Sequence, residues 1–178
     1  MILQSTHTKE FTMYDKSKQN MSKNTARIDY ITALAVEKLQ PLSSAVQIEA
    51  SSHLFGVAQS AALLAGMRGE DIELAYIAGL LHDLYKFTTS DVYEHAEKGA
   101  AYAKPLLERS GLFTSKEIET ICGAIYFHST KDKRHLPFDE ILKDADVMQS
   151  VLASGTMVVS RKQDARWKAL RKEFSFKD

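Results

Sequence analysis

Six histidines lie along the chain, His7, His53, His82, His95, His128 and His135, and their distribution is its most informative feature. His82 is followed directly by Asp83, after the apolar run Tyr76-Ile-Ala-Gly-Leu-Leu. An imidazole and an ionised carboxylate buried behind such a run are costly unless a metal or a partner compensates. Neighbouring residues on a helix point about 100° apart, so both reach one ion only near a helix end. Thr88-Thr89-Ser90 follows closely enough to provide that end. Asp83 has two oxygens and can bridge two ions, whereas a neutral His82 offers one ring nitrogen. His53, His95, His128 and Asp146 complete the candidate set, each beside an apolar stretch on a different helix. Two carboxylates and four imidazoles suit Fe, Mn, Co, Ni or Zn better than Mg alone. Asp144, two residues before Asp146, is the rival for the last position.

The ordered set resembles the HD superfamily of metal-dependent phosphohydrolases, whose pattern is a His, an adjacent His-Asp and a distant Asp. Here these are His53, His82-Asp83 and Asp146, over roughly residues 44 to 152. A narrower resemblance lies in His95-Ala-Glu-Lys-Gly99-Ala100 and Ala124-Ile-Tyr-Phe-His128-Ser-Thr130, which look like segments of the branch that splits diadenosine tetraphosphate symmetrically. In that branch both histidines help hold a second metal. The chain departs from it at Lys131, where a glycine is usual, and in the segment after Asp146.

The resemblance implies a divalent transition metal, one or two ions per chain, with His53, His82, Asp83 and Asp146 around the first and Asp83, His95 and His128 around the second. It implies hydrolysis of a nucleotide phosphate ester or anhydride by metal-activated water. Asp83 would be catalytic as the shared carboxylate. Lys86, one turn beyond His82 on the same face, is the expected phosphate contact and a catalytic cation. Lys131 is the expected substrate-binding cation. Alternatives are a symmetrical diadenosine tetraphosphate hydrolase, a non-catalytic metal-binding regulatory module, and a di-iron oxygenase using the same ligands.

These residues need helices to position them. The 178 residues amount to one domain. Hydrophobic residues make up 44% and charged residues 26%, as in an average soluble protein. Lys plus Arg and Asp plus Glu each number 23, a balance that argues against general nucleic-acid binding. A small phosphorylated substrate is the expected partner, and a homodimer is possible. The single Cys122 excludes an internal disulfide framework and reads as an inert buried thiol. No apolar run long enough for a membrane span and no leader pattern is visible, so a cytoplasmic location is expected.

With 3 prolines, 8 glycines and no sustained alternation, the chain reads as all-α, a single-domain bundle of about six to seven helices. Residues 1–23 read as a polar arm and 24–178 as the helical domain. Helices are expected over about 24–40, over 44–65 with Gly66 as the stop, from Glu70 to Tyr85, and from Ser90 to Arg109. A capping box at Thr114 should open the next, running toward His128. Pro137 should start a sixth, and a basic seventh should span 151–174. His7 and His135 are expected on the surface, as are Lys133 and Arg134. The same holds for Lys162, Arg166, Lys168, Arg171 and Lys172 on the last helix.

Overall fold

The computed structural model describes residues 26–155 and 159–176, so the polar arm over 1–23 and His7 lie outside the described residues. Helix α1 covers residues 26–39 and buries Ile31, Ala35 and Leu39 on one face. Pro41 follows, where helix continuation would cost a backbone hydrogen bond. Arg27 ties α1 to two later helices, donating to Glu73 at 2.5 Å and to Glu117 at 2.8 Å.

Helix α2, Ser44–Arg68, runs past Gly66 to Gly69. Gly69 takes the left-handed conformation, φ 74°, and its N–H donates to the Ala65 carbonyl. Gly66 does not stop the helix, because the cap falls where the backbone turns left-handed. Arg68 in the last turn holds this end against Asp144 and Glu173.

Helix α3, Ile72–Leu81, starts at Asp71, whose side chain accepts from the Leu74 N–H at 2.9 Å. It ends earlier than its apolar pattern predicts. Asp83 leaves helical geometry, with φ −111° and ψ 8°, and the chain resumes as the short α4, Leu84–Thr89. The break sits between the two residues with the strongest chemical claim. Gly79 permits the packing behind it, since a Cβ there would lie 2.5 Å from the Cα of Ala58 on α2.

Helix α5, His95–Ser110, begins at His95 rather than at Ser90. Ser90 and Glu94 both adopt positive φ, 59° and 48°, so the segment between them cannot be helical. Pro105 is carried inside α5, and Gly111, φ 64°, closes it. Helix α6, Ser115–Phe127, opens on the expected reciprocal cap between Thr114 and Glu117. Helix α7, Pro137–Ser154, has Pro137 in its first turn and ends at Gly155, φ 63°. The basic last helix does not start at Val151, which is buried within α7. It is a separate α8, Asp164–Glu173, seated by Trp167 and Leu170.

The described residues form no strand. Helix α2 packs on α3 and α7, α5 packs on α6, and α6 reaches both α3 and α7. Leu54, Leu64, Ile77, Leu80, Leu81, Ile121, Ile125 and Ile141 are fully buried between them. Removing such side chains from water supplies about 1.5–3 kcal/mol each. No helix of the described residues is long and apolar enough to cross a membrane.

Candidate metal centre

Four of the six candidate ligands stand at helix ends. His82 closes α3, Asp83 precedes α4, His95 opens α5 and His128 closes α6. His53 and Asp146 project from within α2 and α7. Gly99 lets α5 come close, since a Cβ there would lie 3.0 Å from the His82 carbonyl oxygen.

Three of the rings are oriented in the same way. Each donates Nδ1–H to the carbonyl three residues earlier: His82 to Gly79 at 2.7 Å, His95 to Val92 at 3.2 Å and His128 to Ile125 at 2.6 Å. A carbonyl can only accept, so the proton belongs on Nδ1 and the Nε2 lone pair faces inward. Such a backbone partner fixes the tautomer of a metal-binding imidazole.

The inward atoms converge on Asp83. His53 Nε2 lies 3.1 Å from His82 Nε2 and 3.6 Å from both Asp83 Oδ2 and Asp146 Oδ1. His82 Nε2 is 3.6 Å from Asp83 Oδ2. On the other side, His95 Nε2 and His128 Nε2 lie 3.6 and 3.5 Å from Asp83 Oδ1. Two triads therefore share one carboxylate, His53–His82–Asp83 and Asp83–His95–His128. Asp83 Oδ1 is buried without a hydrogen bond, although two imidazole nitrogens face it. Their Nδ1 protons are already given to backbone carbonyls, so the oxygen meets lone pairs instead of donors. A buried acceptor in that position costs about 1–3 kcal/mol when unpaired. A cation would satisfy all three atoms, so the residues fit a metal.

Charge states agree with that fit. Burial drives His82 down to about 3, against the opposing pull of Asp83, so the ring is neutral. Burial works to raise the Asp83 carboxyl, but His82, His128 and His53 hold it well below the usual carboxylate range. Burial works to raise Asp146 as well, but Lys131, His82 and His128 together bring it below the usual carboxylate range. Neutral imidazoles and ionised carboxylates are the forms that bind divalent metals.

The two expected phosphate cations pair with the two carboxylates. Lys86 donates to Asp83 Oδ2, and Lys131 donates to Asp146 Oδ2 at 2.7 Å. Asp144 is not at the centre. It accepts from Arg68 and Arg166, each at 2.8 Å, on the other side of α7. Burial pushes the Cys122 thiol up to about 11, which fits an inert thiol.

Two surface expectations give way, and one buried cation is new. His135 stacks on Phe127 with ring centroids 4.0 Å apart and touches Lys143. Arg166 is half-buried and bonded to two carboxylates and two carbonyls, because α8 lies across the loop after α6. Lys143 is fully buried, bonded to Glu140 and to the Lys133 carbonyl, and sequence reading missed it. The signal available was Glu140 one turn before it, an ion-pair spacing on a helix.

The model of the family described as "HD domain" matches residues 50–150. A crystal structure of a predicted HD superfamily hydrolase from an uncultured Thermotogales bacterium is similar in fold, with a TM-score of 0.59 and 24% identity. That likeness covers 80% of this chain and 86% of the other. No curated protein matches the chain.

Proposed function

The chain belongs to the HD domain family, and from that premise we propose that it is a metal-dependent phosphohydrolase acting on a small phosphorylated substrate, a nucleotide or a related ester. The observation that carries this reading is the pair of ligand triads sharing Asp83, with its Oδ1 facing two imidazoles and no donor. His53, His82, Asp83 and Asp146 would hold one divalent transition metal, and Asp83, His95 and His128 a second. Fe, Mn, Co, Ni and Zn all suit that donor set. A metal there supplies Lewis acidity, acidifying water and polarising a phosphoryl oxygen.

The chain's own groups do the rest. Asp83 stays ionised between the two triads, His82 stays neutral, and the rings of His82, His95 and His128 are held in place by their backbone partners. Lys86 and Lys131 place ammonium groups at the two carboxylates, where phosphate oxygens would arrive. Donors held in place before reaction stabilise the charge that develops in line displacement without reorganising.

The substrate follows from Lys131. Its side chain is only 9% exposed and pairs with Asp146 on α7, filling space that a glycine would leave open. Mononucleotides or small phosphate esters are therefore expected to be cleaved at least as well as diadenosine tetraphosphate. Release of phosphate or nucleotide from such a panel, with Mn or Fe added, tests the proposal. Lys131→Gly should move the rate ratio toward the dinucleotide. Failure to hydrolyse any member once loaded with metal, especially alongside dioxygen uptake, would overturn the phosphohydrolase reading.

A further inference from the structure

Residues 129–137, between His128 and the buried Phe138, include no buried residue, yet they carry Lys131 to the metal centre. Its packing contact with the helices is the His135 ring, stacked on Phe127 with centroids 4.0 Å apart. Its outer side faces a cavity of about 790 Å³ whose wall includes Lys133, Arg134, Glu140, Asp144 and Glu173. Toward the segment's end the His135 and Leu136 N–H groups donate to Glu140 and Asp139, and around Lys131 and Lys133 it is held by cations donating to its carbonyls. Arg166 on α8 gives Nε–H to the Lys131 carbonyl at 2.7 Å and Nη2–H to the Lys133 carbonyl at 3.2 Å. The same guanidinium is held in place by Asp144 and Glu140, each at 2.8 Å. Lys143 supplies a second bond to the Lys133 carbonyl at 2.9 Å.

We infer that Arg166 is a positioning residue that acts through Lys131, fixing the backbone from which the Lys131 ammonium reaches Asp146. The inference rests on the phosphohydrolase reading for its effect on turnover, but not for its effect on Lys131 itself. A guanidinium bonded to two carbonyls of one loop sets the loop's position as a planar fork. A simple staple of α8 onto α7 would need only the two carboxylates. That task already has other anchors, since Trp167 and Leu170 are buried and Arg68 holds Glu173 at 2.7 Å. Helix α8 should therefore stay docked when Arg166 is shortened, while the loop loses its register.

The test compares the full chain with Arg166→Met, Lys131→Met and the double variant. Acylation of the Lys131 amine, scored by peptide mass spectrometry against the exposed Lys168, needs neither metal nor substrate. Arg166→Met should speed Lys131 labelling several-fold and leave Lys168 unchanged. With Mn and a mononucleotide, Arg166→Met should raise KM by about tenfold with a smaller change in kcat. In the Lys131→Met background it should add nothing further. Unchanged Lys131 labelling, or effects that multiply in the double variant, would overturn the inference. If the parent protein hydrolyses nothing, the phosphohydrolase reading fails and the labelling alone decides where Lys131 is held. Should Arg166→Met not fold, Arg166→Lys takes its place. It keeps the charge on a single nitrogen but loses the planar fork, and should raise Lys131 labelling and KM above the parent by less than the changes stated for Arg166→Met.

Discussion

Asp83 turns one oxygen toward His53 and His82 and the other toward His95 and His128, so the two sides can be unloaded separately. His128→Ala removes a nitrogen from the second triad only. Metal analysis after reconstitution with Mn should find the content reduced while one ion remains, with turnover lowered. His82→Ala deletes a fully buried ligand between both neighbours and should strip most of the metal. Equal metal content and equal activity in His128→Ala would show that the second triad holds nothing. The six candidate ligands were legible in the sequence because a metal site restricts residue type, and these His and Asp residues stand in a set order along the helices; the fold brings them together. The tie between Lys131 and Arg166 was not readable. Arg166 bonds the Lys131 carbonyl, and a carbonyl acceptor leaves no mark on residue identity.

Helices α7 and α8 meet through charge as much as through Trp167 and Leu170. Glu140 accepts from Lys143 and Arg166, and Asp144 accepts from Arg68 and Arg166. Burial works to raise the Glu140 carboxyl, but Lys143, the His135 N–H and Arg166 bring it from 4.5 down to about 2. The folded protein thus binds this proton less readily than the unfolded chain. The stabilisation is complete above pH 4.5 and is lost as pH falls toward about 2. Glu140→Gln should lower Tm at pH 7, and the gap to the parent protein should close by about pH 2 in calorimetric melts. A gap that stays constant across this range would mean that the ion pairs do not couple α7 to α8. At this scale the sequence revealed most helices but not their breaks. The apolar pattern of Tyr76 to Tyr85 runs straight through the turn at His82–Asp83, since both residues stay buried on either side of it. Ser90 looked like a start signal, yet the positive φ of Ser90 and Glu94 delays α5 to His95, and no residue type announces such a conformation when it is not glycine.

Ligands drawn from α2, the α3–α4 junction, α5, α6 and α7 come together only when the whole domain is folded, so metal should bind the native state and not the unfolded chain. At a hundred times its dissociation constant a ligand of this kind adds about 2.7 kcal/mol. In a chain of this length that is a rise in Tm of roughly 5–10 °C. Melting curves with Mn and with a chelator should show this difference, and Asp83→Asn should abolish it. An undiminished shift in Asp83→Asn would place metal binding elsewhere on the molecule. The backbone partners of the three histidine rings have a different consequence, for how this chain can change over generations. Every residue carries a carbonyl, so the groups that aim His95 and His128 survive almost any substitution at positions 92 and 125. Val92, 71% exposed, is free to drift across the amino-acid alphabet, and Ile125 need only remain apolar. Selection then has the candidate ligand side chains to guard at the centre, while the carbonyls that orient the rings of His95 and His128 come with whatever residues stand at 92 and 125.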